Sequence, residues 1–375
     1  MIIMALDHTR QYFHADAFLY DPQNLEKTTV FIFFTRWITH FCAPIFVLLA
    51  GSSAFLSGQQ KTKKDMAVFL VKRGLWLVFL ELTVVNFAWF LNIHFSFFLL
   101  GIIWVFGVCM ICLSGLIFLS RKVILFIGLL LVCAHNSLDK IHFPQNNFMG
   151  FLWGIIHEEK LISTRHIQIF IAYPVMPWIG VMAIGYCLGG IFTKEFDAKK
   201  RKRILFICGF TSLILFIILR TINVYGDLFA WTSQSSAMFS FLSFINFSKF
   251  PPSLDFLLVT EGIAFIFLAL TENISNGFTK FISVYGRVPL FYYLTHLYLI
   301  HGIAILAAMY LGYPRSIITS LTTVVTLVPC LRGYGFNLGV VYGIWIFVVL
   351  ALYPFCKMYD RYKTSHKDKW WLSYL

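Results

Sequence analysis

The first fourteen residues, MIIMALDHTRQYFH, place four polar side chains inside an apolar segment. Asp7 and His8 are adjacent, and Arg10 and His14 follow. An aspartate can make a histidine more basic and hold it in one tautomer, so His8 is a candidate general base or covalent acyl carrier. Neighbouring side chains on a helix diverge by about 100°, so the residue that orients His8 need not be Asp7.

Arg36 and His40 form a second polar pair, spaced by four residues and therefore expected on one helix face. Arginine keeps its charge, so inside a membrane it requires a carboxylate, a phosphate or a cavity. Asp7 is the carboxylate that we expect beside Arg36. The competing interpretation is structural. Asp7 and Arg36 would then only tie two helices together, and His8 and the other polar residues of the first segment would only be interfacial residues at a helix end.

A third polar group lies in the segment GRVPLFYYLTHLYLIH, which contains Arg287, His296 and His301. We expect His296 near the centre of the bilayer, either in a site or as a neutral histidine bonded to a neighbouring helix. Arg287 opens the segment. The sequence contains no P-loop, no nucleophile elbow and no H-E-x-x-H motif, and we expect no metal.

The composition determines which kind of protein must position these residues. Of 375 residues, 59% are hydrophobic and only 13% are charged, with a mean hydropathy of +0.78. Soluble proteins are roughly 45–50% apolar and about 25% charged, so we predict an all-α, polytopic membrane protein. The net charge of +13 comes from basic loops between apolar runs, so no nucleic-acid partner is expected.

Apolar runs long enough to cross a bilayer predict about ten transmembrane helices. Basic clusters follow the second, fourth, sixth and last of them, which places both termini in the cytoplasm. We interpret 316–331 as an outer loop or re-entrant piece and 137–172 as a pair of interfacial amphipathic helices. The predicted spans are 1–13, 31–57, 74–92, 99–119, 122–136, 173–193, 204–222, 255–271, 288–311 and 339–356.

Seven motifs in order extend this interpretation to a family. They are MALDHTRQYFH, TRWITHFCAPIFVLLAGSSAFL, YPVMPWIGVMAIGYCLG, RTINVYGD, FPPSLDFLL, GRVPLFYYLTHLYLIH and WWLSYL. Together they resemble the bacterial branch of the heparan-α-glucosaminide N-acetyltransferase catalytic-domain family, over essentially the whole chain. The resemblance implies one transmembrane acyltransferase domain, 1–375, in the inner membrane of the cell.

The resemblance also implies substrates and a site. The family's activity is transfer of acetyl from cytosolic acetyl-CoA to an amino sugar on the far side of the membrane, and the acceptor here would be a sugar or envelope glycan. A histidine near the outer end of the first span is implicated in the family, as acetyl carrier or as base. That residue is His8 or His14; His8 matches the Asp-His of the bacterial branch.

Further expectations rest on the same resemblance. Asp7, Arg36 and His40 would complete the catalytic group, with Arg36 stabilising the tetrahedral charge. Arg36, Arg287 and His296 would contact acetyl-CoA. Membrane lipid is an expected partner, and a homodimer is left open. Family members usually carry a segment upstream of the first helix, so we expect a truncated chain or a late start codon.

Two other function classes compete with an acyltransferase. A secondary transporter of a small polar solute would explain polar residues within spans and a faint echo between PIFVLLAG and PWIGVMAIG. A structural membrane scaffold ranks last, because it leaves the buried polar residues unexplained.

Overall fold

The computed structural model describes residues 1–144, 147–313, 333–366, 368, 369 and 372, and it is mostly helical. The predicted loop at 316–331 and most of the terminal WWLSYL lie outside these residues. The helices in the described part are α1 (Ile2–Phe13), α2 (Val30–Trp37), α3 (Cys42–Gly58), α4 (Lys63–Leu80), α5 (Asn86–Phe90), α6 (Ile102–Leu116), α7 (Arg121–Ala134), α8 (Phe148–Ile156), α9 (Met176–Leu188), α10 (Ala198–Ile222), α11 (Ala237–Phe244), α12 (Leu254–Thr271), α13 (Gly277–Arg287), α14 (Pro289–Tyr310) and α15 (Leu338–Ser365).

Six helical segments in the described part are long and apolar enough to cross a membrane. Two shorter apolar helices, Ile102–Leu116 and Met176–Phe192, add to them. Every segment predicted as a span contains helix, but α1 has only 12 residues. The protein is therefore a helical membrane protein, and the number of ten spans stays a prediction. The six segments are Val30–Gly58, Arg121–Leu138, Ala198–Ile222, Leu254–Thr271, Pro289–Tyr310 and Leu338–Ser365.

The chain divides into two compact units, each built from separate stretches of sequence. In the first unit, α1 packs against α14 and α15, and α5 packs against α14. In the second, the main helix pairs are α4 with α6, α7 with α9, and α10 with α12. The first unit comprises Met1–Cys42, Val84–Phe95 and Ile274–Leu375, and the second comprises Ala43–Thr83 and Ser96–Asn273.

Close helix crossings in the second unit depend on glycine. Gly51 of α3 lies against backbone atoms of Met182 and Tyr186, and Gly185 of α9 lies against the backbone of Leu48. A Cβ at either glycine would overlap backbone atoms, which have no freedom to rotate away. The small residues of the two echoing motifs thus form one contact in which α3 and α9 approach backbone to backbone.

Short strands are a feature that the all-α prediction missed. They are β1 (Phe97–Leu100), β2 (Lys160–Ser163) and β3 (Gln168–Ile171). β3 lies in the middle, parallel to β1 and antiparallel to β2. The prediction of two amphipathic helices in 137–172 was therefore wrong, because α8 is followed by the hairpin of β2 and β3. Backbone pairing of β3 with β1 extends this hairpin to a three-stranded sheet.

Two buried ionisable groups of the second unit bind backbone. Glu81 is fully buried, and its carboxylate accepts from the amides of Gly101 and Trp104 at the start of α6. Arg220 is 2% exposed and donates to several backbone carbonyls, with a carboxylate oxygen of Asp255 at 3.6 Å. Its carbonyl partners include those of Phe244, Phe229 and Asn246. Arg220 is thus a structural tie rather than a side chain that reaches out of the membrane.

Candidate active site

Asp7 lies between two arginines on the buried face of α1. Its Oδ1 accepts a hydrogen bond from Nη2 of Arg10 at 3.1 Å, one helical turn along. Its Oδ2 accepts from Nη1 of Arg36 on α2 at 2.6 Å. All three side chains are at most 10% exposed. Two guanidinium groups share one carboxylate, so the cluster carries a single net positive charge.

The predicted contact between Asp7 and Arg36 is therefore present, and Arg36 also contacts a residue of its own segment. After Trp37 the chain tightens into a 3₁₀ turn, Ile38–Phe41. Such a turn places residue i+3 almost in line with residue i. Nη1 of Arg36 accordingly lies 3.3 Å from Oγ1 of Thr39, while His40 is fully buried.

A second polar contact joins α1 to α14. Nδ1 of His8 lies 2.8 Å from Nε2 of His296, and Nδ1 of His296 lies 2.7 Å from the carbonyl oxygen of Tyr292. A carbonyl only accepts, so Nδ1 of a neutral His296 carries the hydrogen and Nε2 carries the lone pair. His8 must then donate from Nδ1. The lone pair of neutral His8 is consequently on Nε2, the nitrogen that would act as a base.

Aromatic rings enclose this histidine pair. Trp89 meets the His8 ring edge-on at 4.9 Å between centroids, and Tyr293 does so at 6.1 Å. On the other ring, Tyr292 stacks against His296 at 5.0 Å. His296 is fully buried, whereas His8 is half-buried. His8 is therefore the more accessible ring of the pair, and His296 is the enclosed one.

Trp89 is itself held by polar contacts. The Tyr12 hydroxyl donates to the carbonyl oxygen of Trp89 at 3.1 Å, and Nδ1 of His301 donates to that of Ala88 at 2.8 Å. The π-helix Glu81–Val85 immediately precedes α5, and such irregular turns often occur next to functional sites. α1 and α14 thus fix the helix that brings the indole beside His8.

His14 occupies a different position from His8. It ends α1, and its backbone forms a bridge with Phe336. Six residues separate it from His8, or about 9 Å along a helix axis. Burial lowers its pKa below the usual value of 6.5, with Asp16 acting in the opposite direction and Arg10 in the same one. Together with Asp16, Thr29, Asn337 and Tyr342 it lines a cavity of about 600 Å³.

Arg287 is not part of the histidine cluster. It ends α13, where Nε donates to Asp360 at 2.8 Å and Nη1 donates to Ser283 at 2.9 Å. Its side chain is 52% exposed. His296 lies on the next helix, α14, and Val288 separates the two helices. The structure therefore brings together Asp7 with Arg36, and His8 with His296, and leaves Arg287 at the end of a helix.

Sequence reasoning overlooked Trp89 and Tyr12. Both are aromatic residues in a chain that is 18% aromatic, so nothing in their spacing distinguishes them. Their role depends on which helices become neighbours, which a single sequence does not reveal. Within the described ranges, no group of three or more His, Cys, Asp or Glu side chains is arranged to hold a metal ion.

Comparison with known proteins adds an independent observation. The sequence profile of the family described as heparan-alpha-glucosaminide N-acetyltransferase, catalytic, matches residues 1–221. That range includes Asp7, His8 and Arg36, while His296 lies beyond it. Searches of curated proteins and of solved structures return no match. Because the profile covers more than half of the 375 residues, this chain belongs to the heparan-alpha-glucosaminide N-acetyltransferase catalytic family.

Proposed function

We propose that this membrane acetyltransferase moves an acetyl group from cytosolic acetyl-CoA to a sugar or envelope glycan on the outer side of the inner membrane. The observation that carries the proposal is the contact between His8 and His296. A half-buried imidazole whose other nitrogen is held by a buried partner is the arrangement that general-base and acyl-carrier histidines require.

In the direct route, His8 acts as the base. Nε2 accepts a proton from the amine or hydroxyl of the acceptor while that atom attacks the thioester carbonyl of acetyl-CoA. The carbon–sulfur bond then breaks, and the thiolate of CoA leaves and takes up a proton. In the covalent route Nε2 itself attacks the carbonyl, the carbon–sulfur bond breaks, and CoA leaves as the thiolate and takes up a proton. The acceptor then attacks the acetyl group and gives up its proton, and the carbon–nitrogen bond breaks to restore the His8 imidazole.

The net positive charge of the Asp7 cluster supports either route. Negative charge develops on the carbonyl oxygen as the tetrahedral intermediate forms, and a positive group in a low-dielectric site stabilises it. Arg36 is our candidate for this role, with Arg10 adding to the field. Asp7 holds both guanidinium groups in place, so they need not reorganise during the reaction.

The topology that we propose follows the basic loops. Ten spans with both termini in the cytoplasm would place Arg287 at the cytoplasmic end of α14 and His14 towards the outer face. In this orientation Arg287 would bind the phosphates of acetyl-CoA. His296 would contact the thioester end of the same molecule. His40 lies close in sequence to Arg36 and belongs with the same group. His14 remains the alternative to His8 as the reacting histidine.

The experiment is acetyl transfer in proteoliposomes with labelled acetyl-CoA on one side and glucosamine or an envelope glycan on the other. We expect His8→Ala to abolish transfer and His94→Ala, at an exposed histidine, to leave it unchanged. Loss in His14→Ala alone would reassign the reacting residue. Full activity in both His8→Ala and His14→Ala would refute the mechanism.

The same preparation separates the two routes and the competing function. Label that stays on the denatured protein when acceptor is omitted, and is lost in His8→Ala, identifies the covalent route. Absence of label in an active enzyme identifies direct transfer. Solute uptake driven by an ion gradient, with no consumption of acetyl-CoA, would instead identify a transporter.

A further inference from the structure

The helix α10 has one face packed and one face that no other described part of the chain covers. Gly209 faces α12, where an added Cβ would lie 2.9 Å from the carbonyl oxygen of Gly262. Leu205 and Phe216 are also buried. On the opposite face, Ile207, Phe210 and Ile214 are 54–57% exposed. Exposure of this apolar stripe, Ile207, Phe210 and Ile214, to water would be unfavourable. On a membrane-spanning helix the stripe contacts lipid instead.

Three cations lie at one end of this stripe. Lys199, Lys202 and Arg203 line one groove of about 540 Å³ together with the apolar residues, because the spacings of three, four and seven place them on one face. Nζ of Lys202 lies 5.9 Å from the ring centroid of Phe206. The remaining residues of the groove are Ile207, Phe210, Thr211 and Ile214.

These cations differ from the other charged residues at the start of α10. Arg201, on another face, pairs with Glu272. Asp197 caps the helix by accepting from the amide of Lys200 at 2.7 Å. In the part of the chain that the structure describes, by contrast, the three groove cations form no salt bridge. Among the described residues that line it, the groove therefore has three positive charges beside an apolar surface and no carboxylate.

We infer that this groove binds one anionic phospholipid, with its headgroup phosphate on Lys199, Lys202 and Arg203 and an acyl chain along Phe206, Phe210 and Ile214. From Arg203 to Ile214 the helix rises about 16 Å, close to the roughly 15 Å thickness of one leaflet. Charge complementarity selects a lipid with a net negative headgroup, because cations near the membrane surface attract anionic lipid.

The test compares two triple variants by native mass spectrometry. The full-length protein in detergent is titrated with phosphatidylglycerol or with phosphatidylcholine. We expect K199Q/K202Q/R203Q to bind phosphatidylglycerol at least five-fold more weakly than the wild type. The control K64Q/K72Q/K122Q removes three exposed lysines outside the groove and should change the affinity less than two-fold. Phosphatidylcholine binding should be the same in all three proteins.

Three results would overturn the inference. Equal loss in both triple variants would show that only overall charge matters. Unchanged binding in the groove variant would show that the lipid binds elsewhere. A shift of the groove variant from dimer to monomer, with lipid affinity unchanged, would show that a second copy of this chain covers the face. Melting temperatures of both variants, measured in parallel, confirm that each is folded before its lipid affinity is compared.

Discussion

Nδ1 of His8 and Nε2 of His296 are 2.8 Å apart although 288 positions separate the two residues in sequence. The adjacent residue Asp7 is bound to Arg10 and Arg36, in line with the expectation that Asp7 lies beside Arg36. If His8 is the reacting residue, as we propose, a histidine takes the place that a carboxylate often has beside a catalytic imidazole. Such a partner would orient the ring without adding a negative charge to a site where, in the proposed reaction, an anion develops.

Replacing His296 should reduce turnover while leaving the protein folded. His296→Ala removes the acceptor that holds Nδ1–H of His8, and we expect kcat to fall about 100-fold or more. His296→Gln keeps an oxygen that can accept that hydrogen, so it should retain more activity than the alanine variant. Rates are measured with labelled acetyl-CoA across pH 5–9.

A shift of the pH profile in His296→Gln would identify His296 as a positioning residue, since a purely structural defect lowers activity equally at every pH. His94→Ala serves as the control for loss of an exposed histidine. Equal residual activity in the alanine and glutamine variants, with the wild-type pH profile, would contradict the assignment.

Removing the charge of Asp7 should destabilise the protein strongly. Asp7→Asn leaves two buried guanidinium groups without their carboxylate, and breaking a buried ion pair from one side costs about 3–5 kcal/mol. Adding Arg36→Gln should recover part of that loss because one of the two unpaired charges disappears. The measurement is the melting temperature in detergent by intrinsic tryptophan fluorescence.

Glu26→Gln, which removes an exposed carboxylate, is the control and should melt with the wild type. If the double variant melts no higher than Asp7→Asn alone, the residues are not coupled in the way that the ion pair requires.

Burial of His14 should make the stability depend on pH. Its pKa is lowered in the folded protein by burial, so between that pKa and the usual 6.5 the unfolded chain binds more protons than the folded one. The stability that neutral His14 contributes is therefore fully present above pH 6.5 and is lost as pH falls towards the folded pKa.

We expect the melting temperature of the wild type to fall more steeply between pH 7 and pH 5 than that of His14→Gln. The same substitution at exposed His94 should keep the steep wild-type dependence. Identical slopes in the wild type and His14→Gln would show that His14 is not the responsible group.

The crossing of α3 and α9 should reject even one added methyl group. Gly185→Ala places Cβ against the backbone of Leu48, which must shift, and overpacking of this kind costs about 1–3 kcal/mol. Gly115→Ala on α6 meets no atom within 4 Å, so it should be neutral or gain up to about 1 kcal/mol from helix propensity. Comparing the two melting temperatures isolates the steric effect, and equal values would contradict the close crossing.

The helical class and the positions of the main helices follow from the sequence alone. Inside a membrane no water is present to bond the backbone amide and carbonyl groups of an apolar segment. These groups must therefore bond one another, and a helix achieves this within the segment itself. The tie between Asp7 and Arg36 was predictable for a related reason, because an arginine that cannot lose its charge needs a counter-charge. The small strands were not, since β1 and β3 pair across a long stretch of sequence.

In the candidate site, some features follow from the sequence and others only from the tertiary structure. The sequence by itself pointed to α1 as a candidate for the chemistry, because ionisable residues in an apolar segment are costly and need a reason to be there. It did not identify the partner of His8 or the ring of Trp89 beside it. Those depend on α1, α5 and α14 becoming neighbours, which is decided by the packing of whole helix faces rather than by any local pattern.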